Sequence, residues 1–243
     1  MATANKTTRL RVEDLERYGK PISDMPKEAF AGQGSIIFAA LRRKFGLLGL
    51  MPFLWRVLVE RRRLRKRYQT QYAELRQRTV KGADEITMLI AMFNVVAQRE
   101  SREHAYAFVK GIFERVAQQS LPALYQLDQL VRCDGDVFDN FKKFNIAMFE
   151  AGDRDFHVQA MEDEPNHLRI VVDRCLNVDA GRMFDCPEIA QLGCDHDLAS
   201  YPHVEPRVHA IFRRPCTLAK GGHCCDFNFY RAGFAPAGAY ENR

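Results

Sequence analysis

Apolar residues recur every three or four positions through most of the first 150 residues, a period typical of amphipathic helices. The stripe is widest in the segment 84–99, and the segment 101–119 repeats it. The pattern predicts helices over residues 34–45, 54–78, 84–99, 101–119, 121–132 and 137–150. We therefore expect an N-terminal arm over residues 1–33 and a helical part over residues 34–150.

The period changes to two near residue 150, where Phe156, Val158 and Ala160 alternate with polar residues. This alternation predicts a strand, and a turn at 163–166 followed by an apolar segment at 168–176 completes a predicted hairpin. Farther along, the pattern predicts a helix over residues 184–200 and strands over residues 208–213 and 225–230. The fold class is therefore predicted as α+β, with N-terminal helices packed with an antiparallel sheet in the C-terminal half.

The chain carries no internal repeat and no Pro/Ser-rich linker that would separate two domains. At 243 residues it is long enough to bury a substantial core without disulfides. We predict a single domain over residues 1–243, with a β-rich part at 151–231 and a tail at 232–243.

The net charge of +5 is concentrated in one region. Residues 42–78 carry twelve Lys and Arg against two Glu, a local charge of +10, so the remainder sums to −5. The apolar residues of the predicted helix 54–78 form a narrow stripe that we expect to face the core: Leu54, Val57, Leu58, Leu64, Tyr68, Tyr72 and Leu75. A solvated helix face is the simpler explanation of this charge, so no nucleic-acid partner is expected. Binding to nucleic acid or anionic lipid is the alternative.

Seven cysteines, an odd number without the dense spacing of a secreted scaffold, indicate thiols that are free or metal-bound. The first residues contain no apolar segment, and the uncharged run 45–55 is too short and too rich in Gly and Pro to span a bilayer. These features predict a cytoplasmic protein without a transmembrane segment. Homo-oligomerisation through the N-terminal helices is left open.

The richest chemistry lies in the segments 193–197 and 217–227, which combine thiols, carboxylates, an imidazole and a glycine pair. Cys224 and Cys225 are adjacent on a predicted strand, so their side chains must point to opposite faces. Cys225 shares its face with Phe227 and Phe229, whereas Asp226 shares the other with Asn228 and Tyr230. The pair Gly221-Gly222 predicts a tight turn between two strands or a close approach of backbone to a ligand. A simple hairpin turn with buried thiols would explain only part of this pattern.

These segments resemble a known family. The resemblance covers mainly residues 150–231 and rests on Arg174-Cys175-Leu176, Cys194-Asp195-His196-Asp197, Thr217-Leu218-Ala219-Lys220-Gly221-Gly222 and Cys225-Asp226-Phe227. The sequence is similar to the L-2-amino-thiazoline-4-carboxylic acid hydrolase family, which implies opening of a five-membered cyclic amidine during bacterial conversion of the thiazoline to cysteine.

A more distant similarity, to 4-vinyl reductase type small-molecule-binding domains, implies an antiparallel sheet with flanking helices and cysteines that can hold zinc. In that comparison Thr217 stands where the binding domain often has a cysteine, and Cys225 matches its last cysteine. The similarity therefore implies a zinc site that lacks one of its usual ligands.

Ring opening needs a nucleophile for the carbon between sulfur and nitrogen, proton carriers, and a cation for the substrate carboxylate. The resemblance implies catalytic roles for the thiols Cys175, Cys194 and Cys225, for the carboxylates Asp195, Asp197 and Asp226, and for His196. It implies substrate-binding roles for Arg174, Thr217, Lys220, Gly221 and Gly222. A solvated side chain is the more common explanation of a histidine flanked by carboxylates such as His196, and Arg174 and Lys220 could equally be surface charges.

A bound metal is the alternative use of the same thiols. Cys175, Cys194 and Cys225 with His196 or Asp197 would suit zinc or another divalent cation in ligand type, although the chain has no CxxC motif. The remaining cysteines are assigned structural roles: Cys133, Cys186 and Cys216, with Cys224 left open because it adjoins the key strand position.

Three functions from different classes follow from these patterns. The first is a hydrolase that opens a small heterocycle. The second is a non-catalytic ligand-binding or sensor domain with thiol-bound zinc and an apolar pocket. The third is a helical interaction protein that uses the basic face, with binding that weakens as salt rises. The site residues favour the first, with a small molecule as the partner.

Overall fold

The computed structural model describes residues 9–237 apart from positions 23, 25 and 153. The α+β prediction is confirmed, because helices fill most of the N-terminal half and an antiparallel sheet lies in the C-terminal half. Parts of the predicted N-terminal arm (1–33) and of the predicted tail (232–243) lie outside the described residues. The division into a single domain stays a prediction.

The α-helices of the described residues are α1 (Gln33–Arg67), α2 (Gln69–Arg78), α3 (Val80–Ala97), α4 (Arg102–Leu124), α5 (Leu127–Leu130), α6 (Val137–Ala151), α7 (Leu176–Met183) and α8 (Glu188–Val208). The strands are β1 (Phe156–Glu164), β2 (His167–Cys175), β3 (Ala210–Arg213) and β4 (Cys225–Arg231). The sheet order is β1-β2-β4-β3, and every neighbouring pair is antiparallel. All four strands were predicted, with small changes at their ends.

Several helical predictions need correction. The predicted helix 54–78 is divided at Tyr68 between α1 and α2, and the predicted break at residue 120 lies within α4. The predicted gap at 46–53 is helical, because Gly46 (φ 67°) bends the chain within α1 and the helix then resumes through Pro52. Helix α7 was missed. Helix α8 runs beyond the predicted end at residue 200 and contains Pro202 and Pro206, which normally interrupt helices. The buried residues of these last turns pack in the core and stabilise them.

The inner face of the sheet packs against α6 and the C-terminal half of α8 in an aromatic core. Phe229 of β4 is fully buried there, with its ring 5.4 Å from those of Phe141 and Phe212 and 5.5 Å from that of Tyr201. Val12, in the predicted arm, also packs in this cluster. The segment before α1 is therefore part of the core where it is described.

We expect Phe229→Ala to lower the free energy of unfolding by about 3–5 kcal/mol, because it removes a fully buried ring and leaves a cavity that rigid neighbours cannot fill. Urea unfolding followed by circular dichroism measures the change. Phe234→Ala is the matched control, since that ring is exposed. Equal stability of both variants would contradict this account of the core.

A second apolar cluster joins α1, α3, α4, α7 and the N-terminal half of α8. Helix α8 contributes to both clusters, with Ile189 and Leu192 in the second and Tyr201 and Val204 in the first. Its residues 194–197 therefore lie where the two clusters meet, which brings the predicted chemistry to an interior position.

The prediction that the whole apolar stripe of the basic helix faces the core is wrong for two residues. Val57, Leu64 and Leu75 are buried, but Leu54 and Leu58 are exposed. They continue an exposed apolar surface on α1 together with Leu47, Leu48, Met51 and Trp55. In the described part of the chain, no helix combines the length and apolar character needed to cross a membrane.

Candidate active site

Four consecutive residues of α8, 194–197, carry much of the predicted chemistry, and the helix turns about 100° at each of them. Cys194 and Asp197, three residues apart, both reach partners in the segment that follows β3. Asp195 and His196 instead contact α4. The four residues therefore face two different parts of the structure. Cys194 and Asp197 face the segment after β3, whereas Asp195 and His196 face α4.

Cys194 and Cys225 meet at the hydroxyl of Thr217. The Thr217 Oγ1 atom lies 3.1 Å from the Cys194 sulfur and 3.6 Å from the Cys225 sulfur. The Leu218 backbone N–H also donates to the Cys225 sulfur at 3.4 Å. All three side chains of this thiol cluster are buried. The strand alternation correctly predicted that Cys225 faces the interior with Phe227 and Phe229.

Cys175 lies at the junction of β2 and α7, where it is the N-cap residue of the helix. Its side chain makes no cap hydrogen bond. Burial raises the pKa of its thiol, the backbone N–H groups of Val178 and Asn177 lower it, and the neighbouring Cys225 and Cys194 raise it further. The three thiols chosen from the sequence thus surround one region of the interior.

A buried cation, Arg214, stands beside these thiols. Its side chain is 1% exposed, and its guanidinium donates to the Asp197 carboxylate at 2.6 Å and to the Cys194 backbone carbonyl at 3.0 Å. The guanidinium also lies 5.6 Å from the centre of the Phe227 ring. One side chain therefore connects the carboxylate of α8, the backbone at Cys194 and the aromatic core.

Two opposing effects act on the thiols. Burial raises the pKa of Cys194 and of Cys225 above the ordinary value, and it raises the pKa of Cys175 to about 12. The Arg214 cation lowers the pKa of both Cys194 and Cys225, because it stabilises a nearby thiolate. Burial is the larger effect, so the resting thiols are protonated and need a base to become nucleophiles.

Asp195 is a buried link between α8 and α4. Its carboxylate accepts a hydrogen bond from the Tyr106 hydroxyl and lies 3.4 Å from the Lys110 ammonium nitrogen. Burial, followed by the bond to Asp195, raises the pKa of the Tyr106 phenol. Asp195 therefore points away from Thr217 and stabilises the contact between α8 and α4.

His196 lies between α4 and the start of the site. Its Nε2 atom is 2.9 Å from the Ser120 hydroxyl, and its Nδ1 atom is 3.9 Å from an Asp197 carboxylate oxygen. Serine, histidine and aspartate make a triad in composition, but Ser120 is buried within the helix contact and Asp197 is bonded to Arg214. The Nδ1 atom of His196 lies nearer to the Ser200 hydroxyl, at 3.5 Å, so Ser120, His196 and Asp197 do not form a connected triad.

Several residues chosen from the sequence lie away from the thiol cluster. Asp226 is on the opposite face of β4, where Arg169 donates to it at 2.8 Å. Arg174 and Lys220 are exposed. Gly221 (φ 85°) ends a short 3-10 turn, Leu218–Lys220, so the connection between β3 and β4 is longer than the tight turn that its glycines predicted. Gly222 packs against Cys216.

A cavity of about 740 Å³ opens between the helices. Apolar side chains dominate its wall, among them Ile37 of α1, Leu89 of α3 and Phe113 of α4, and Arg61 and Asp84 add charge. Its volume falls within the range of small-molecule sites.

The cavity reaches the chain neighbours of two candidate thiols, because Asn177 and Gly193 are part of its wall. Asn177 follows Cys175 by two residues, and Gly193 directly precedes Cys194. A Cβ at Gly193 would lie 2.6 Å from the Asn177 side-chain nitrogen, so a larger residue there would displace that side chain. The cavity thus adjoins the elements that carry the thiols.

The zinc set implied by the distant similarity does not fit this geometry. In residues 9–237, without the three positions left out, one group of three or more His, Cys, Asp or Glu residues has its ligand atoms within 4.8 Å of one another, and it consists of Cys216, His223 and Cys224. Cys194 and Cys225 instead contact the Thr217 hydroxyl, and the Arg214 cation beside them opposes a second positive charge.

Arg214 is the main site residue that the sequence reasoning missed. Arg214 follows Phe212 by two positions and lies one residue beyond the end of β3. If the alternation of the strand continues to residue 214, both side chains point inward. A charged residue at an inward position was the available signal. Tyr106 and Ser120 gave none, because their contacts with α8 join residues more than 70 positions apart.

Comparison with known proteins gives one match. The family model described as L-2-amino-thiazoline-4-carboxylic acid hydrolase matches residues 83–229, which is more than half of the chain and includes the thiol cluster. No curated protein and no solved structure matches the sequence. The matched segment contains α8 and most of β4, on which Cys194 and Cys225 lie. The chain belongs to the L-2-amino-thiazoline-4-carboxylic acid hydrolase family.

Proposed function

We propose that this protein is a hydrolase that opens a small cyclic amidine related to 2-amino-thiazoline-4-carboxylate by attack on the carbon between ring sulfur and ring nitrogen. The family name supports the reaction class. The observation that carries the mechanism is the buried Arg214 cation beside two thiols that share the Thr217 hydroxyl. This arrangement can stabilise a thiolate that forms only as the reaction proceeds.

In the proposed reaction, one thiol of the cluster gives its proton to a carboxylate and adds to the ring carbon, while the ring nitrogen takes up a proton. The ring then opens. Departure of the ring sulfur as a thiol leads to a urea, and departure of the ring nitrogen as an amine leads to a thiocarbamate. Water displaces the enzyme thiol and restores it, so the product equals the substrate plus one water.

Asp197 is the proposed proton carrier nearest to this chemistry, with His196 as the next titratable group. Asp197 shares the Arg214 guanidinium with the Cys194 backbone, which holds it on the side of the thiol cluster. The Nδ1 atom of His196 is 3.9 Å from the other Asp197 oxygen. Protons would leave the thiols through Asp197 and would need a bridging water to reach His196, because 3.9 Å is too long for a direct hydrogen bond.

The test is turnover of 2-amino-thiazoline-4-carboxylate and a few cyclic amidine analogues by purified protein, before and after chelation, with product followed by mass spectrometry. We expect products heavier than the substrate by one water, and turnover that survives chelation because the proposed nucleophile is a thiol. Lack of turnover of every analogue by folded protein would contradict the proposal, and loss of turnover with the metal would contradict the thiol mechanism.

A non-catalytic ligand-binding domain is the second candidate, and one observation favours it. The cavity of about 740 Å³ is much larger than the thiazoline acid needs, and most of its wall is apolar. Tight binding of an apolar ligand without turnover would support this function in place of the first.

A further inference from the structure

The segment between β3 and β4 carries two chemically different faces. Thr217 and Cys225 point inward at Cys194, whereas Cys216 and Cys224 are their neighbours in sequence and lie together on the other side. The Asp226 N–H donates to the Cys216 carbonyl at 3.1 Å, which continues the strand pairing past β3 and aligns the two pairs. The thiols of this hairpin are therefore divided between two separate groups.

His223 completes the outer group. The imidazole of His223 and the sulfurs of Cys216 and Cys224 have ligand atoms that all lie within 4.8 Å of one another. Cys224 is buried and Cys216 is partly buried, while His223 is exposed. Two sulfurs on tetrahedral zinc are about 3.8 Å apart at bond lengths of about 2.3 Å, so small side-chain movements would bring this set into coordination.

The backbone at Gly222 is adapted to this group. A Cβ at that position would overlap the Cys216 sulfur and would lie 2.8 Å from the Thr217 carbonyl oxygen. The φ of Gly222 is not in the left-handed region, so conformational freedom does not explain the glycine. The close approach of the Cys216 sulfur and of the Thr217 backbone explains it.

We propose that Cys216, His223 and Cys224 bind a zinc ion, with the fourth position open to solvent on the His223 side. Two thiolates and one imidazole form a ligand set that zinc prefers over the oxygen-seeking cations. The site is distinct from the thiol cluster, because strand alternation directs Cys224 and Cys225 to opposite faces.

Zinc at this position would join the two ends of the segment that bears the active-site groups. Cys216 stands near the beginning of this segment and Cys224 at its end, and the chain from 214 to 218 supplies Arg214, Thr217 and the Leu218 N–H to the thiol cluster. The metal would hold these groups in place from the outer face without contacting substrate. Its removal should lower the melting temperature and slow turnover without abolishing it, because the metal would not take part in the chemical step.

The experiment titrates the full-length, reduced protein with zinc alone against a chromophoric chelator and repeats the titration with cobalt, whose thiolate charge-transfer absorption reports sulfur ligands. We expect one metal per chain. Loss of one ligand should weaken zinc binding roughly a hundredfold. This is at least as large as the effect of removing a residue that hydrogen-bonds to a metal ligand. Cys216→Ser and His223→Ala should both do so, and Gly222→Ala should also weaken binding by displacing the Cys216 sulfur.

Controls separate this site from the other thiols. Cys133→Ser removes a buried cysteine in a different part of the core and should bind metal like the parent protein. Cys194→Ser and Cys225→Ser should also keep the metal, whether or not the hydrolase proposal is correct. Circular dichroism identifies any variant that fails to fold. Absence of stoichiometric binding, a Cys216–Cys224 disulfide in place of the metal, or loss of metal in Cys225→Ser but not in Cys216→Ser would overturn the proposal.

Discussion

Of the serine variants at Cys194 and Cys225, the one that removes the nucleophile is expected to lower turnover of the cyclic amidine roughly a thousandfold or more, as loss of a covalent nucleophile does in other hydrolases. Serine keeps nearly the same volume and can still contact the Thr217 hydroxyl, so the fold should remain. It is a far weaker nucleophile than a thiolate at the same pH. Steady-state rates with 2-amino-thiazoline-4-carboxylate measure the change.

Cys133→Ser is the matched control for this prediction, since Cys133 is buried to a similar degree but lies beside the Gln129 carbonyl. Its turnover should equal that of the parent protein. Thermal melting of all three variants separates lost chemistry from lost structure. Full activity in both Cys194→Ser and Cys225→Ser would remove the thiols from the mechanism.

The sequence predicted well those features that depend on near neighbours. Alternation with a period of two located all four strands and directed Cys224 and Cys225 to opposite faces, and the structure has Cys225 in the core beside Phe227. The pleat of a strand fixes this alternation locally, whatever the strand packs against. The same argument separated Asp226 from Cys225 correctly.

Features that depend on long-range packing could not be read from local patterns. Helix α8 continues through Pro202 because Tyr201 and Val204 are buried in the aromatic core, and nothing local signals that core. The motif 194–197 looked like one constellation, yet the helix turn sends Asp195 to Tyr106 and Lys110. Adjacent positions on a helix face different neighbours, so proximity in sequence overstated proximity in space.

Arg214 shows a further limit, because its importance comes from what surrounds it. A lone arginine after a strand is usually a surface charge, and only the packing of α8 against the sheet encloses this one between Asp197 and the Cys194 carbonyl. Burying a charge is unfavourable unless it is paired and hydrogen-bonded. The bonds to Asp197 and to the Cys194 carbonyl therefore stabilise this buried cation. Its positive charge in turn lowers the pKa of Cys194 and of Cys225.

Arg214→Met should affect both chemistry and stability. Without the cation, the pKa of Cys194 and of Cys225 should rise further, since Arg214 now lowers both. A smaller fraction of thiolate at any given pH means that the rising limb of the pH–rate profile moves to higher pH and turnover near neutral pH falls. The free energy of unfolding should drop by about 3 kcal/mol, the lower end for breaking a buried ion pair, because Asp197 is partly exposed.

Two further variants make this prediction specific. Arg213→Met alters the neighbouring arginine, whose guanidinium contacts the Phe212 carbonyl, and should leave the pH–rate profile unchanged. Arg214→Lys keeps the charge, but a lysine cannot bridge Asp197 and the Cys194 carbonyl as the planar guanidinium does. This variant should therefore have a pH–rate profile close to that of the parent protein but a lower free energy of unfolding. A profile for Arg214→Met that coincides with that of the parent protein would show that the buried cation stabilises the fold without activating the thiols.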